Sequence, residues 1–275
     1  MPSEYRLLLG PNLASVNERA QRGRAEAAAT SWDQVATWYD GWVGDRGSHY
    51  HQSLTIPAVL DLLAPRRDEE ILDVGGGQGV LAPYLVELGA RYTGVDASPR
   101  LIELGKRRHG REARFLVGDA RRLAQVRELR PGSYDAAVFM LSIQDMDPLE
   151  PILTGVSRVL RRRSRIVVLM THPSFRQPRH AGWGFDAGRK LTYRRVDAYL
   201  SHMTVPMKAL GGGRPTRAFH RPISSYVNGL ASVGFAVDAM QELPDVVRAA
   251  DPAGGVDARA HAEIPLFLGL RARRG

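Results

Sequence analysis

The run Ile71-Leu72-Asp73-Val74-Gly75-Gly76-Gly77-Gln78-Gly79 constrains this chain more than any other stretch. Its first four residues read as a short buried strand, and the glycines after them as a tight turn into a helix near residues 81–88. Glycine at 75, 76, 77 and 79 lets the backbone approach a ligand closely, with N–H groups of the helix start aimed at it. A plain strand-to-helix turn would not need all four. A dinucleotide fingerprint would place glycine or alanine at position 80, where Val80 stands, and no Gly-Lys-Ser/Thr follows. The turn therefore suits a small polar ligand other than a pyrophosphate.

The same alternation continues along the chain. Short apolar runs at 71–74, 92–95, 113–117, 136–141 and 166–170 are separated by helical stretches near 81–88, 99–108, 120–129 and 149–160. This pattern predicts a parallel sheet covered on both faces, a doubly wound α/β core. A helix at Ile56 to Leu63, stopped by Pro65, precedes it. Residues 171–221 break the rhythm with proline, glycine and aromatics, and the part from 173 to 221 is read as a substrate-binding lid inserted after the fifth strand. The pattern then resumes with a helix at 223–233 and strands at 235–240 and 265–270. Residues 1–30 read as a charged helical extension, and the main domain as 31–275, opening on an aromatic helix capped by Ser31.

Composition narrows the chemistry. There is no cysteine among the 275 residues, which removes disulfides, thiolate nucleophiles and cysteine-bound zinc together. The net charge of +9 invites a nucleic-acid reading, but lysine occurs only at 106, 190 and 208. The arginine clusters at 161–163 with 165, and at 271, 273 and 274, flank strands or end the chain, so solvated charge at element ends is the favoured reading. No apolar run approaches the roughly 20 residues of a membrane span. A soluble, cytoplasmic protein is expected, without membrane or nucleic-acid partners, as a monomer or homodimer.

Three further signals follow the glycine turn in order. Val95-Asp96-Ala97-Ser98 puts a carboxylate at the end of the second strand, where it can accept both hydroxyl protons of a ribose. Val117-Gly118-Asp119-Ala120 puts another at the end of the third, able to accept from an adenine amino group. Tyr134 to Leu141 forms a fourth strand whose tip would meet the ligand from the other side. One such carboxylate is an ordinary turn former; an ordered series at strand C-termini lies where open α/β sheets bind ligands.

The series ILDVGGGQG, GVDASP, VGDA, YDAAVFMLSIQDM and VLRRRSRIVVL resembles the class I, seven-stranded S-adenosylmethionine-dependent methyltransferases over roughly residues 31–270. The resemblance implies a Rossmann-like sheet of order 3-2-1-4-5-7-6 with the last strand antiparallel. It also implies S-adenosylmethionine as cofactor and S-adenosylhomocysteine as product; His49 with His51, or His172 with His220, could pair on a metal, but no spaced carboxylate completes a ligand set, so no metal is expected. Gly75, Gly76 and Gly77 would contact the methionine part, with Asp73 at the base of the turn. Asp96 would hold the ribose, Ala97 and Ser98 would border the adenine, Asp119 and Ala120 would bind its amino edge, and Met140 and Leu141 would line the other face. The segment WYDGWVGDRGSHYH looks like the family's aromatic closing segment, making Tyr39, Tyr50 and His51 candidates to touch the methionine end or methyl group.

Methyl transfer from a sulfonium is an in-line displacement for which alignment and exclusion of water count more than any obligatory base. For an acceptor that must lose a proton, His172 is the first candidate base, followed by His49, His51, Asp145 and His220, with Tyr50 beside them in the aromatic segment. Gln144, Trp183, Tyr193 and His220 are the candidate acceptor contacts. The expected acceptor is a small, flat organic molecule of specialised metabolism, methylated at oxygen, nitrogen or carbon. The alternative is an RNA or protein methyltransferase. Against it, Leu141-Ser142-Ile143-Gln144 lacks the Asp/Asn-Pro-Pro-aromatic sequence that nucleobase amino methylation resembles, and a covalent cytosine-carbon route has no cysteine to use.

Overall fold

A computed structural model describes residues 32–207, 216–250 and 258–275. The extension expected over 1–30 and the Ser31 cap lie outside the described residues. The central sheet uses β1 (Glu70–Val74), β2 (Arg91–Asp96), β3 (Arg114–Val117), β4 (Tyr134–Met140), β5 (Leu160–Thr171), β10 (Phe235–Pro244) and β11 (Pro265–Arg274). Its order is 3-2-1-4-5-11-10, with β11 antiparallel to both β5 and β10. Counted within the sheet, that is 3-2-1-4-5-7-6 with the last strand antiparallel, the order the resemblance implied.

Strand pleating divides the core in two. Leu72, Val74, Ala137, Phe139, Val168 and Met170 point to one face and pack under α5 (Leu149–Val159) and α6 (Ile223–Ser232). Ile71, Ala136, Val138, Val167 and Leu169 point to the other, under α2 (Ile56–Leu63) and α3 (Ala82–Glu87). Because both faces are covered, β1, β4 and β5 read as nearly continuous apolar runs rather than alternating ones. The preceding α1 (Ala36–Val43) and the following α4 (Pro99–His109) flank the ligand-side edge. Ser98 caps α4, its Oγ accepting from Leu101 N–H at 3.2 Å.

Three expectations are corrected. The helix placed over 120–129 is a short 3-10 turn over Ala120–Gln125, kinked at Arg122 and capped by Asp119. The insertion is more regular than its composition suggests. It contains two hairpins, β6 (Ala181–Asp186) with β7 (Leu191–Val196), and β8 (Met203–Pro206) with β9 (Arg217–His220). Nor is the basic cluster before strand five simply solvated. Arg165 is buried, grips Glu69 through both guanidinium nitrogens (2.6 and 3.0 Å) and donates to the Leu63 carbonyl, tying the end of α2 to the sheet.

Candidate functional site

The strand tips and the insertion enclose a cavity of about 380 Å³, with a smaller hollow of about 80 Å³ beside it. Gly75, Asp96, Asp145 and Met146 belong to the walls of both, so the two spaces adjoin along the ends of β1, β2 and β4.

The floor is the glycine turn. At Gly75 φ is +72°, and a Cβ there would lie 2.5 Å from the Met146 methyl and 2.6 Å from Ser142 Cβ. Glycine is therefore required both by conformation and by the approach of the β4 tip. That approach is fixed by Ser142 Oγ, which donates to the Val74 carbonyl at 2.6 Å. β4 itself ends abruptly at Leu141, which takes a left-handed φ of +57° and donates its N–H to the Leu169 carbonyl. Met140 and Leu141 then face the cavity from across the turn.

Three carboxylates crowd this end. Asp73 is buried, and its Oδ2 accepts from the Tyr92 hydroxyl at 2.9 Å while its Oδ1 has no partner among the described residues. Burial pushes its pKa up to about 7, with Asp96 adding to the rise against the Tyr92 hydrogen bond. Asp96 Oδ2 accepts from Gly77 N–H at 3.0 Å and Oδ1 from Ser98 N–H at 2.8 Å. Burial still holds that carboxyl above the usual range. Burial raises Asp145 to about 8, with Asp96 adding to the rise and a hydrogen bond with Trp32 opposing it. Sequence reasoning ranked Asp145 low, because nothing in its spacing says that a turn after β4 folds it back beside Asp96.

An aromatic wall closes over the carboxylates. Trp32 meets Tyr39 edge-on at 5.3 Å, Tyr39 lies 6.2 Å from Trp42, and Trp42 lies 6.2 Å from His51. Trp32 and Trp42 line the cavity, and Trp42, 53% exposed, also stacks on Trp38 one turn back in α1, ring centroids 6.0 Å apart. Burial and the neighbouring carboxylates raise the Tyr39 phenol, which stays protonated. His51 Nδ1 lies 2.8 Å from Ser48 Oγ, and burial lowers its pKa to about 4, so its ring is neutral near pH 7.

Other expected site residues sit differently. Ala97, Asp119 and Ala120 line the smaller hollow, but both Asp119 oxygens accept from the Arg121 guanidinium (2.7 to 3.0 Å), so an adenine amino group would have to share them. Ser98 is buried in its cap and donates to Asp33 at 2.8 Å. Gln144 and His220 line the main cavity.

His172, Tyr50, His49, Trp183 and Tyr193 do not line it, which corrects their expected roles. His172 is buried behind the wall, its Nε2 2.9 Å from Glu242 and its Nδ1 accepting from Ser174 N–H, so both ring nitrogens are engaged. Tyr50 donates to Asp245 at 3.1 Å, and His49 is exposed, 3.3 Å from Ser53 Oγ. Trp183 packs against His261 with the rings tilted and their centroids 4.9 Å apart, and Tyr193 lies across Gly184 on the exposed face of its hairpin. The residues flanking His172 do reach the cavity: Thr171, Pro173, Arg176 and Gln177, joined by Phe219, Arg221 and Tyr226. No pattern in the sequence singled these out, because the end of β5 with the segment after it, the strand β9 and the helix α6 that carry them meet only in the fold.

The fold and part of the sequence have counterparts among known proteins. Residues 72–168 match the family described as a methyltransferase domain. A demethylmenaquinone methyltransferase of Beutenbergia cavernae is 31% identical over 164 residues, covering 60% of this chain and 66% of the relative. A ubiquinone biosynthesis O-methyltransferase of Xanthomonas oryzae pv. oryzae is 27% identical over 152 residues, covering 53% and 62%. The chain thus spans between about half and two thirds of the length of the curated relatives it matches. Among solved structures, an S-adenosylmethionine-dependent methyltransferase from Mesorhizobium loti superposes with a TM-score of 0.66 at 24% identity, over 79% of this chain and 96% of that one. A geranyl diphosphate C-methyltransferase from Streptomyces coelicolor shares the fold at a TM-score of 0.54 and 16% identity, over 83% and 81%.

Proposed function

For a chain that belongs, by its fold and by the domain carried over residues 72–168, to the class I methyltransferases, we propose transfer of a methyl group from S-adenosylmethionine to a small, flat organic acceptor. The observation that carries this reading is the glycine turn flanked by Asp73 and Asp96, opening directly into an aromatic-walled cavity. The turn residues fit the cofactor on their own terms. Asp73 Oδ1 is a buried acceptor without a donor, as a ligand ammonium would require. Asp96 spends one hydrogen bond on each oxygen and keeps lone pairs for two ribose hydroxyls. Gly75 to Gly77 leave the backbone bare, Ala97 and Ala120 offer apolar edges to a base, and Met140 and Leu141 face them.

When bound, S-adenosylmethionine supplies a methyl group on a sulfonium, already activated for displacement. The protein's part is to hold, align and dry. Trp32, Tyr39 and Trp42 present ring faces and a phenol oxygen, which favour a cation. The walls formed by the insertion exclude water from the reacting face. Residues 173–221 serve in this reading as the acceptor-side lid of a 31–275 domain. Where the acceptor must lose a proton, Asp73, Asp145, His51 and His220 are among the titratable groups at the cavity wall, and Asp145, raised to about 8, lies nearer neutral pH than His51, lowered to about 4.

The printed names of the curated relatives support a ring acceptor of the quinone-precursor type, methylated at carbon or oxygen. Calorimetry with S-adenosylhomocysteine tests the cofactor site, with binding in the micromolar range expected. Tritium transfer to hydroxylated ring acceptors tests the reaction. Labelled bulk RNA in place of small acceptors would reverse the substrate assignment, and no binding of either nucleoside would end the reading.

A further inference from the structure

The acceptor side of the cavity carries one guanidinium, that of Arg176, that no carboxylate among the described residues pairs. Arg176 lines it, half-buried, donating from Nε to the Pro265 carbonyl at 3.2 Å and from Nη2 to that of Ile264 at 3.5 Å. Its guanidinium lies 5.4 Å from the Trp183 ring centroid, and that of Arg194 lies 5.0 Å from the same ring. Among the described residues no carboxylate comes within 4.0 Å of the charged nitrogens of either arginine. Burial and mutual repulsion lower Arg194 to about 10, and burial lowers Arg176 as well. The counter-charge acting on Arg176 at longer range is Asp245, whose Oδ1 already accepts from Tyr50 and from Arg248 N–H. Cations withdrawn from water without a partner are costly and are kept where an anion arrives to pair them.

Two buried side chains beside Arg176 are also left incomplete. Gln177 is 2% exposed; its Nε2 lies 3.2 Å from His220 Nε2, and its Oε1 has no partner among the described residues. Arg221, 4% exposed, spends Nη2 on the Met146 carbonyl and Asp147, while its buried Nη1 has no hydrogen-bond partner among the described residues. The Gln177–His220 contact joins the segment carrying Arg176 to β9, which leads into Arg221. Arg176 and Arg221 therefore bring guanidinium donors to the part of the cavity wall formed by residues 171–178 and 218–221, with Gln177 between them.

We propose that this wall is an oxyanion seat: the methyl acceptor carries a carboxylate or phosphoryl group that docks on Arg176 and Arg221, leaving its nucleophilic atom directed at the glycine turn. The cavity then has two electrostatic poles, a carboxylate pole suited to a cationic methyl donor and a guanidinium pole suited to an anionic acceptor. A guanidinium matches either oxyanion through paired N–H donors, which also fixes orientation. The inference rests on the proposed methyltransferase reading and adds the class of acceptor to it.

The test uses the full chain saturated with S-adenosylhomocysteine, titrated by calorimetry or ligand-observed NMR with benzoate, phenyl phosphate and neutral benzamide. One or both oxyanions should bind at least about tenfold tighter than benzamide, and whichever binds tighter names the group. Arg176→Gln should remove that preference while leaving S-adenosylhomocysteine affinity intact, and Arg176→Lys should restore part of it. Benzamide binding as tightly as the oxyanions, none of the three binding, or an undiminished preference in a folded Arg176→Gln protein would each overturn the seat. Loss of S-adenosylhomocysteine binding by the unmutated protein would instead defeat the cofactor assignment.

Discussion

The two walls of one cavity are built by different means. The carboxylate wall comes from strand tips of a sheet buried on both faces, where each residue's position follows from its place in the chain. Asp73 ends one strand and Asp96 the next, and parallel pairing of Asp73 with Gly94 and Val74 with Val95 fixes their offset. The guanidinium wall comes from the end of β5, the segment after it and the β8–β9 hairpin, which meet where Gln177 reaches His220 and Arg221 reaches back to Met146. A sheet whose interior is close-packed tolerates no slip. The insertion, by contrast, is held by a few polar contacts, and its function can change without disturbing the sheet.

That contrast can be broken most directly at Gly75. Gly75→Val adds strain at φ +72° and a clash with Ser142 and Met146, and should lower stability by about 1–3 kcal/mol. Cofactor binding should be lost in calorimetry even where the folded fraction survives. Retained affinity would mean that the turn is not the floor of the site. Next in size, Asp96→Ala should weaken S-adenosylhomocysteine binding by about 1–3 kcal/mol through loss of charge-assisted hydrogen bonds. Equal affinity would remove the ribose contact.

The carboxylate wall should also reveal itself through pH. Asp73 and Asp145 have folded pKa values raised to about 7 and about 8. The stability that follows from these raised values is fully present below the unfolded carboxylate pKa of about 4, and is lost as pH rises through the folded values. Above them both groups are ionised and available to a cation. The free protein should therefore melt lower as pH rises from about 5 to 8, while S-adenosylmethionine should bind more tightly over the upper part of that range. Asp145→Asn should flatten the part near pH 8. A melting temperature rising across the window, with cofactor affinity independent of pH, would contradict the burial-driven shifts. The smallest effect belongs to the insertion's outer surface. Tyr193→Ser, on an exposed hairpin face, should change stability by no more than about 0.5 kcal/mol and leave binding of both ligands untouched; a larger loss would place that hairpin in the site after all.

The sequence made the first wall legible because each of its elements is local. A buried strand, a glycine turn and an acid at the next strand's end are signals readable within a few residues, and the β/α alternation leaves few ways to assemble them. Even there, a local reading failed where a neighbour intervened. Asp119 sits where an adenine contact was expected, but Arg121 occupies both its oxygens. His172 follows a strand tip and looks available, yet the register of β11 and β10 brings Glu242 to its ring.

By itself, then, the sequence determined the sheet, its order and the glycine floor with its acids, because hydrophobic periodicity and glycine's backbone freedom are properties of the chain alone. Only the tertiary structure decided that Asp145 joins those acids, that His172 is sealed away, and that Arg176, Gln177 and Arg221 share one wall. Those outcomes depend on contacts between residues 43 to 75 positions apart. Burial and the absence of a partner arise from packing, and packing exists only once the distant segments have met.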